Sequence, residues 1–93
     1  MMDDKEAEAL FNEIETKMNE LKFKIEIGIP FKKLEDERRI IKIKYLRTWI
    51  RYKRKKGFTY QQIGDIFAER NIPTLSSKGK WGSRTIHNID TGK

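Results

Sequence analysis

A stretch of 25 residues, Asp3 to Ile27, contains no proline or glycine, and its apolar residues recur at alternating spacings of four and three. These residues are Ala7, Phe11, Ile14, Met18, Leu21 and Ile25. Such spacing places them in one stripe, the a/d seam of a helix, which needs a covering partner. We predict that a second copy of the chain covers it, through dimer contacts at Phe11, Ile14, Met18, Leu21 and Ile25. The seam is only about three heptads long, so the alternative, an antiparallel hairpin with the helix folded back on its own chain, stays open.

A second, longer helix is predicted after Gly28, Ile29 and Pro30, which interrupt the helical pattern. We expect it to run from Phe31 or Lys32 to Lys55. Its apolar residues are too many for one narrow stripe, which indicates contacts on two sides.

Charge is distributed very unevenly along the chain. Residues 1–37 hold eleven acidic and six basic side chains, whereas residues 38–93 hold fifteen basic and three acidic ones, so the net charges are −5 and +12. Ten bases follow one another with no acid among them: Arg38, Arg39, Lys42, Lys44, Arg47, Arg51, Lys53, Arg54, Lys55 and Lys56. Like charges on one helix repel unless an anion neutralises them. We therefore predict that the C-terminal half binds a polyanion, and nucleic acid is the obvious candidate.

The composition disfavours several classes of protein. Cysteine is absent, so the chain has no disulfide framework and no cysteine-based zinc site. His87 is the only histidine, and the three acids of the basic half, Asp65, Glu69 and Asp90, are scattered. We therefore predict no metal site, no cofactor and no catalytic residue. No apolar run approaches the roughly 18 residues of a membrane span, which predicts a cytoplasmic, nucleoid-associated protein with no membrane partner.

Residues 57–74, GFTYQQIGDIFAERNIPT, predict a short helix with a defined start and end. Gly57 ends the preceding helix, and Thr59 and Gln62 have the spacing of a reciprocal capping box. We expect the helix to span Tyr60 to Arg70, with Gly64 admitting a neighbouring backbone and Asn71 adopting a left-handed conformation.

A last helix is predicted over RTIHNI. Ser83 is placed to cap it, Ile86 and Ile89 face inward, and Trp81 anchors it to the core. A helix, a loop and a second helix, supported by the long basic helix, form the arrangement of helix-turn-helix DNA-binding proteins. The sequence thus predicts an all-α fold: a helical dimerisation or interaction segment, residues 1–30, followed by a helix-turn-helix domain, residues 31–93.

The same residues resemble a known family. G-F-T-Y-Q-Q-I-G-D-I-F-A-E-R-N-I-P-T, a loop containing Gly79, and W-G-S-R-T-I-H-N-I resemble the DNA-binding "recombinase" domain of large serine recombinases, over about residues 45 to 90. The resemblance implies a DNA-binding module without strand-transfer chemistry, because residues 1–44 contain no serine for a nucleophile. Asn71 stands where the family usually has glycine.

Candidate DNA contacts fall into two sets. For reading base edges we predict the outward residues of the last helix: Ser83, Arg84, Thr85, His87 and Asn88. Arginine suits guanine and asparagine suits adenine. The alternative is that Arg84 touches only a phosphate and that Asn88 only caps the helix end. For phosphate contacts we predict Arg51, Lys53, Arg54, Lys55, Lys56, Thr59, Tyr60, Gln61, Lys78 and Lys80.

These observations favour a dimeric, sequence-specific protein that binds double-stranded DNA and reads the major groove with its C-terminal helix. Its role would be regulatory or accessory: a repressor, or a factor in replication, partition or recombination of a mobile element such as a plasmid or phage. The mobile element follows from the resemblance alone. The alternative is a protein-interaction adaptor whose acidic first helix binds a protein partner while the basic half binds nucleic acid non-specifically.

Overall fold

The first helix, α1, spans Asp4–Glu26. It begins at Asp3, whose Oδ1 accepts a hydrogen bond of 2.7 Å from the Glu6 N–H and so satisfies one of the free amides of the first turn. The computed structural model describes residues 2–76 and 79–92. In these residues all regular structure is helical, which confirms the all-α prediction.

The predicted long helix is present, with a local change of winding. It consists of α2, Phe31–Ile40, a π-helical segment, Ile41–Leu46, and α3, Arg47–Lys55. The joining residues keep right-handed helical dihedral angles, so the three parts form one continuous rod, which we call the central helix. A π turn holds an extra residue and rotates the following face. Simple 3.6-residue periodicity did not predict this segment.

α1 lies antiparallel to the central helix. Near its start the Asp4 carboxylate is 3.3 Å from Lys56 Nζ, and near its end Lys24 Nζ is 2.6 Å from Glu37 Oε1. In the middle, the Lys17 ammonium lies 4.9 Å from the centre of the Tyr45 ring. The hairpin alternative is therefore the arrangement that the structure has.

The apolar seam of α1 is covered by the chain itself. Ala7, Phe11, Ile14, Met18 and Leu21 are all buried, at 6% exposure or less, and Ile25 is partly buried against the same core. The prediction that Phe11, Ile14, Met18, Leu21 and Ile25 form a dimer interface is therefore wrong, because one chain already removes this surface from water.

One hydrophobic core joins the segments predicted as separate units 1–30 and 31–93. At its centre Phe67 is stacked on Phe11 and Trp81, with ring centroids 5.6 and 4.5 Å apart, and meets the edge of Trp49 at 5.1 Å. Because α1, α3, Phe67 and the loop residue Trp81 all contribute rings, residues 1–30 are an integral part of the fold and not an appendage to it.

The two C-terminal helices are α4, Tyr60–Glu69, and α5, Ser83–Thr91. The capping box of Thr59 and Gln62 is confirmed. Left-handed backbone is found where expected, at Gly57 with φ 95° and at Asn71 with φ 53°. The predicted cap at Ser83 is wrong, since Gly82 is the N-cap residue and makes no side-chain cap.

Candidate nucleic-acid interface

The inner face of the last helix packs on the core. Ile86 and Ile89 are buried, and Trp81, just before the helix, donates a hydrogen bond of 2.6 Å from its Nε1 to the Ile72 carbonyl. The predicted anchoring by Trp81 is confirmed. Gly64 of α4 lies so close beneath that a Cβ there would be 2.7 Å from the Trp81 carbonyl oxygen. α5 is thus held in one position relative to α4.

The residues predicted to read bases differ in their exposure. Ser83, Arg84 and His87 are exposed on α5, whereas Thr85 and Asn88 are half-buried. The Thr85 hydroxyl donates a hydrogen bond of 3.0 Å to the Lys80 carbonyl. Since residues three and four apart are neighbours on a helix, Arg84 lies on a ridge between His87 and Asn88.

The C-terminal end of α5 is held by Asp90, which sequence reasoning left without a role. One carboxylate oxygen accepts a 2.6 Å hydrogen bond from the Tyr60 hydroxyl, and the other accepts a 3.0 Å bond from Arg51 Nε. Arg51 also donates to the Asp90 carbonyl, at 2.9 Å, and Arg47 donates to the Ile89 carbonyl, at 2.8 Å. Two arginines of the central helix therefore satisfy two of the free carbonyls at the end of α5.

This network alters proton affinities. Burial alone would raise the pKa of Asp90, but the hydrogen bonds from Tyr60 and Arg51 and the charges of Arg51 and Arg54 hold that pKa below its ordinary value of 3.8. The same hydrogen bond raises the pKa of Tyr60, because the phenolic proton bonds to a carboxylate.

Acid is therefore expected to loosen α5. Because the pKa of Asp90 is lower in the folded than in the unfolded chain, its stabilisation is complete above pH 4 or so and is lost as the pH falls through the lowered value. Asp90→Asn should lower the free energy of unfolding at pH 7 by about 1–3 kcal/mol, since hydrogen bonds to a charged group are lost. Denaturation of the wild-type chain and of Asp90→Asn between pH 2.5 and 7 measures the free energy of unfolding of each. When this free energy is plotted against pH, the two curves should converge at the acid end. A constant difference across that range would contradict the assignment.

Several predicted phosphate contacts are already engaged within the chain. Arg51 and Tyr60 bind Asp90, Lys56 pairs with Asp4, and Arg54 donates a 3.0 Å hydrogen bond to the Phe58 carbonyl. Three more of the predicted residues have a neighbour in the chain: Lys53 Nζ lies 4.7 Å from the Phe58 ring centre, the Thr59 hydroxyl caps α4, and Gln61 donates to Asp65. Lys55 and Lys80 are exposed. Lys78 lies outside the described residues.

The acidic N-terminal half and the basic half meet in space. Asp4 accepts hydrogen bonds from the Tyr52 hydroxyl and from Lys56, and these bonds lower the pKa of the carboxyl. Arg70 Nη2 lies 3.8 Å from Glu15 Oε2. Part of the charge contrast along the sequence is therefore neutralised between α1 and the helices it covers.

Two features of the site were missed from sequence. The first is the attachment of α5 through Asp90. The spacing of Arg47, Arg51 and Arg54 places all three on one face of a helix and is a usable signal for it. The second is a position in space: Arg38, Arg39 and Lys42, three of the ten bases expected to meet a polyanion, lie beside the other edge of α5, as described below.

In the part of the chain that the structure describes, no three histidine, cysteine or acidic residues are grouped as metal ligands would be, and no helix is long and apolar enough to cross a membrane. No protein-family model matches the chain, and comparisons with curated proteins and with solved structures gave no match. The recombinase resemblance stays a prediction.

Proposed function

We propose that this protein binds double-stranded DNA in a sequence-dependent manner, with α5 in the major groove. The observation that carries the proposal is the exposed ridge of α5, where Arg84 lies between His87 and Asn88 above a buried apolar face. A nine-residue helix is about 13 Å long, and its diameter of roughly 10–12 Å matches the width of the groove. Rigid attachment favours readout, because little ordering is needed on binding.

The side chains on α5 suit contacts with base edges. Arg84 can donate two hydrogen bonds to the edge of a guanine, and Asn88 can pair with adenine if its half-buried amide reaches the groove floor. Tyr60 and Arg54 lie at the edge of α5 that meets α4, with the guanidinium 4.4 Å from the ring centre. A regulatory or accessory role is part of the proposal, and its place in a mobile element is supported by the recombinase resemblance alone.

The Arg84 contact is tested by exchanging it for alanine. We expect Arg84→Ala to reduce discrimination between preferred and random duplexes by about 1–3 kcal/mol, because a bidentate base contact is lost. Fluorescence anisotropy with excess random duplex as competitor measures it. The matched control is Lys55→Ala, an exposed base on α3, which should weaken all duplexes alike and lower the salt slope by about one. Identical behaviour of the two variants would contradict base readout by Arg84.

A second function, the protein-interaction adaptor, is favoured by one observation. At the turn between α1 and α2, Phe23, Ile27 and Phe31 are 61%, 59% and 40% exposed. Exposed apolar residues in a group are a usual feature of protein contacts. If the double variant Phe23→Ser, Ile27→Ser abolished the protein's activity in its host and Arg84→Ala left that activity intact, the protein-interaction adaptor would be the better description.

A further inference from the structure

A groove of about 390 Å³ separates the N-terminal half of the central helix from the C-terminal end of α5. Four basic side chains line it: Arg38, Arg39, Lys42 and Arg47. Glu35 is the one acid in its lining within residues 2–76 and 79–92. We call this feature the basic groove.

The basic groove continues along one edge of α5. Lys42 and Leu75 also line the adjoining groove, whose other wall includes Thr85 and Asn88. The opposite edge of α5 belongs to α4, where the His87 ring meets the Tyr60 ring edge-on at 5.2 Å. The ridge that carries Arg84 therefore has the N-terminus of α4 on one side and the basic groove on the other.

Two bases of the basic groove, Arg38 and Arg39, have weaker partners than Arg51, further along the central helix. The Arg38 Nε is buried and has no hydrogen-bond partner among the described residues. Arg39 bonds to Asp36 at 3.3 Å, but both side chains are highly exposed, at 71% and 87%, so this pair is weak. Arg51, by contrast, is bound to a mostly buried carboxylate, that of Asp90. The Arg38 guanidinium lies over the Phe31 ring, 5.1 Å from its centre, and this contact does not neutralise its charge.

We propose that the basic groove binds the sugar-phosphate backbone of duplex DNA beside the base pairs that α5 reads. This proposal rests on the proposed function and adds a contact to the DNA backbone on the edge of α5 away from α4. Guanidinium groups match phosphate geometry with two parallel hydrogen bonds, and Arg38 and Arg39 supply two of them, whereas Arg47 already donates its Nε to the Ile89 carbonyl. Contacts to the DNA backbone fix the register of a recognition helix without reading sequence themselves.

The test uses the double variant Arg39→Ala, Lys42→Ala and a fluorescein-labelled, random-sequence duplex of about 20 base pairs. If each base neutralises one phosphate, the slope of log affinity against log salt should become shallower by about 1.8. The control, Lys5→Ala, Lys33→Ala, removes the same charge from exposed positions outside the groove, and its slope should stay at the wild-type value. Circular dichroism checks that both variants are folded.

The outcomes separate this proposal from the one before it. An unchanged slope in the groove variant, with Arg84→Ala still relaxing sequence preference, would overturn the basic groove and leave base readout standing. If the control variant flattened the salt slope as much as the groove variant, the basic groove would be overturned too, because net charge alone would then explain binding. Failure of the wild-type chain to bind any duplex would overturn both proposals. Tighter, groove-dependent binding of a single-stranded RNA of equal length would assign the groove to RNA instead.

Discussion

Phe67→Ala is expected to lower the free energy of unfolding by about 3–5 kcal/mol, the usual loss for an aromatic residue in a packed core. Phe67 is fully buried and contacts the rings of Phe11, Trp49 and Trp81, which come from α1, α3 and the segment before α5. Its removal leaves a cavity where these segments meet. Since a domain of this size is stable by only about 5–15 kcal/mol, much of the total would be lost. Urea denaturation, followed by tryptophan fluorescence, measures the change.

The matched control is Phe23→Ala, the same substitution at a side chain that is 61% exposed. We expect a change of less than about 0.5 kcal/mol there, because little buried area is lost. A similar small change at Phe67 would show that α1 does not share a core with the C-terminal helices, and the hairpin arrangement would then be wrong.

Gly64→Ala is expected to destabilise the fold by about 1–3 kcal/mol and to weaken the proposed DNA binding with it. The added Cβ would lie 2.7 Å from the Trp81 carbonyl oxygen, and this backbone cannot move freely because the indole is stacked on Phe67 and bonded to the Ile72 carbonyl. α5 would have to shift away from α4. In an open helix position the same substitution stabilises by up to about 1 kcal/mol, so the sign of the effect is informative.

Gly82→Ala adds the same methyl group where a Cβ would meet nothing within 4 Å and where φ is −104°. We expect a cost below about 1 kcal/mol there, from replacing glycine at a helix N-cap. Denaturation of the two variants side by side is the measurement. Stabilisation by Gly64→Ala would refute the close approach of α4 and α5.

Much of the secondary structure was predictable because its signals are local. The capping box of Thr59 and Gln62 and the left-handed positions Gly57 and Asn71 each act within one turn of helix, so sequence spacing identifies them. The start of α5 was predicted one residue too late, since a cap at Ser83 would begin the helix at Arg84 and α5 begins at Ser83.

The partner of the α1 seam could not be predicted from the seam alone. An a/d stripe is covered equally well by a second copy or by the chain's own helices. What decides is the sum of contacts distant in sequence, such as Phe11 with Phe67 and Lys24 with Glu37. Which charges neutralise one another could not be predicted either, because Asp4 and Lys56 are 52 residues apart in sequence and adjacent in space.

The outer residues of the candidate site were predictable from sequence, whereas the contacts that hold α5 in place were not. The helical spacing of Arg84, His87 and Asn88 gave their shared face directly. Asp90 is a single acid with no motif around it, and its role depends on Tyr60 and Arg51, 30 and 39 residues away. The π-helical segment likewise has no sequence signature in apolar spacing, yet it lies where Lys42 joins the two grooves beside α5.

Selection from a random duplex library, carried out in parallel with the wild-type chain and with Arg84→Ala, tests base readout by α5 most directly. We expect the wild-type chain to enrich a short motif over successive rounds and the variant to lose preference at one base pair of it. Enrichment of no motif by a wild-type chain that still retains duplex, or an unaltered motif with Arg84→Ala, would contradict base readout by α5.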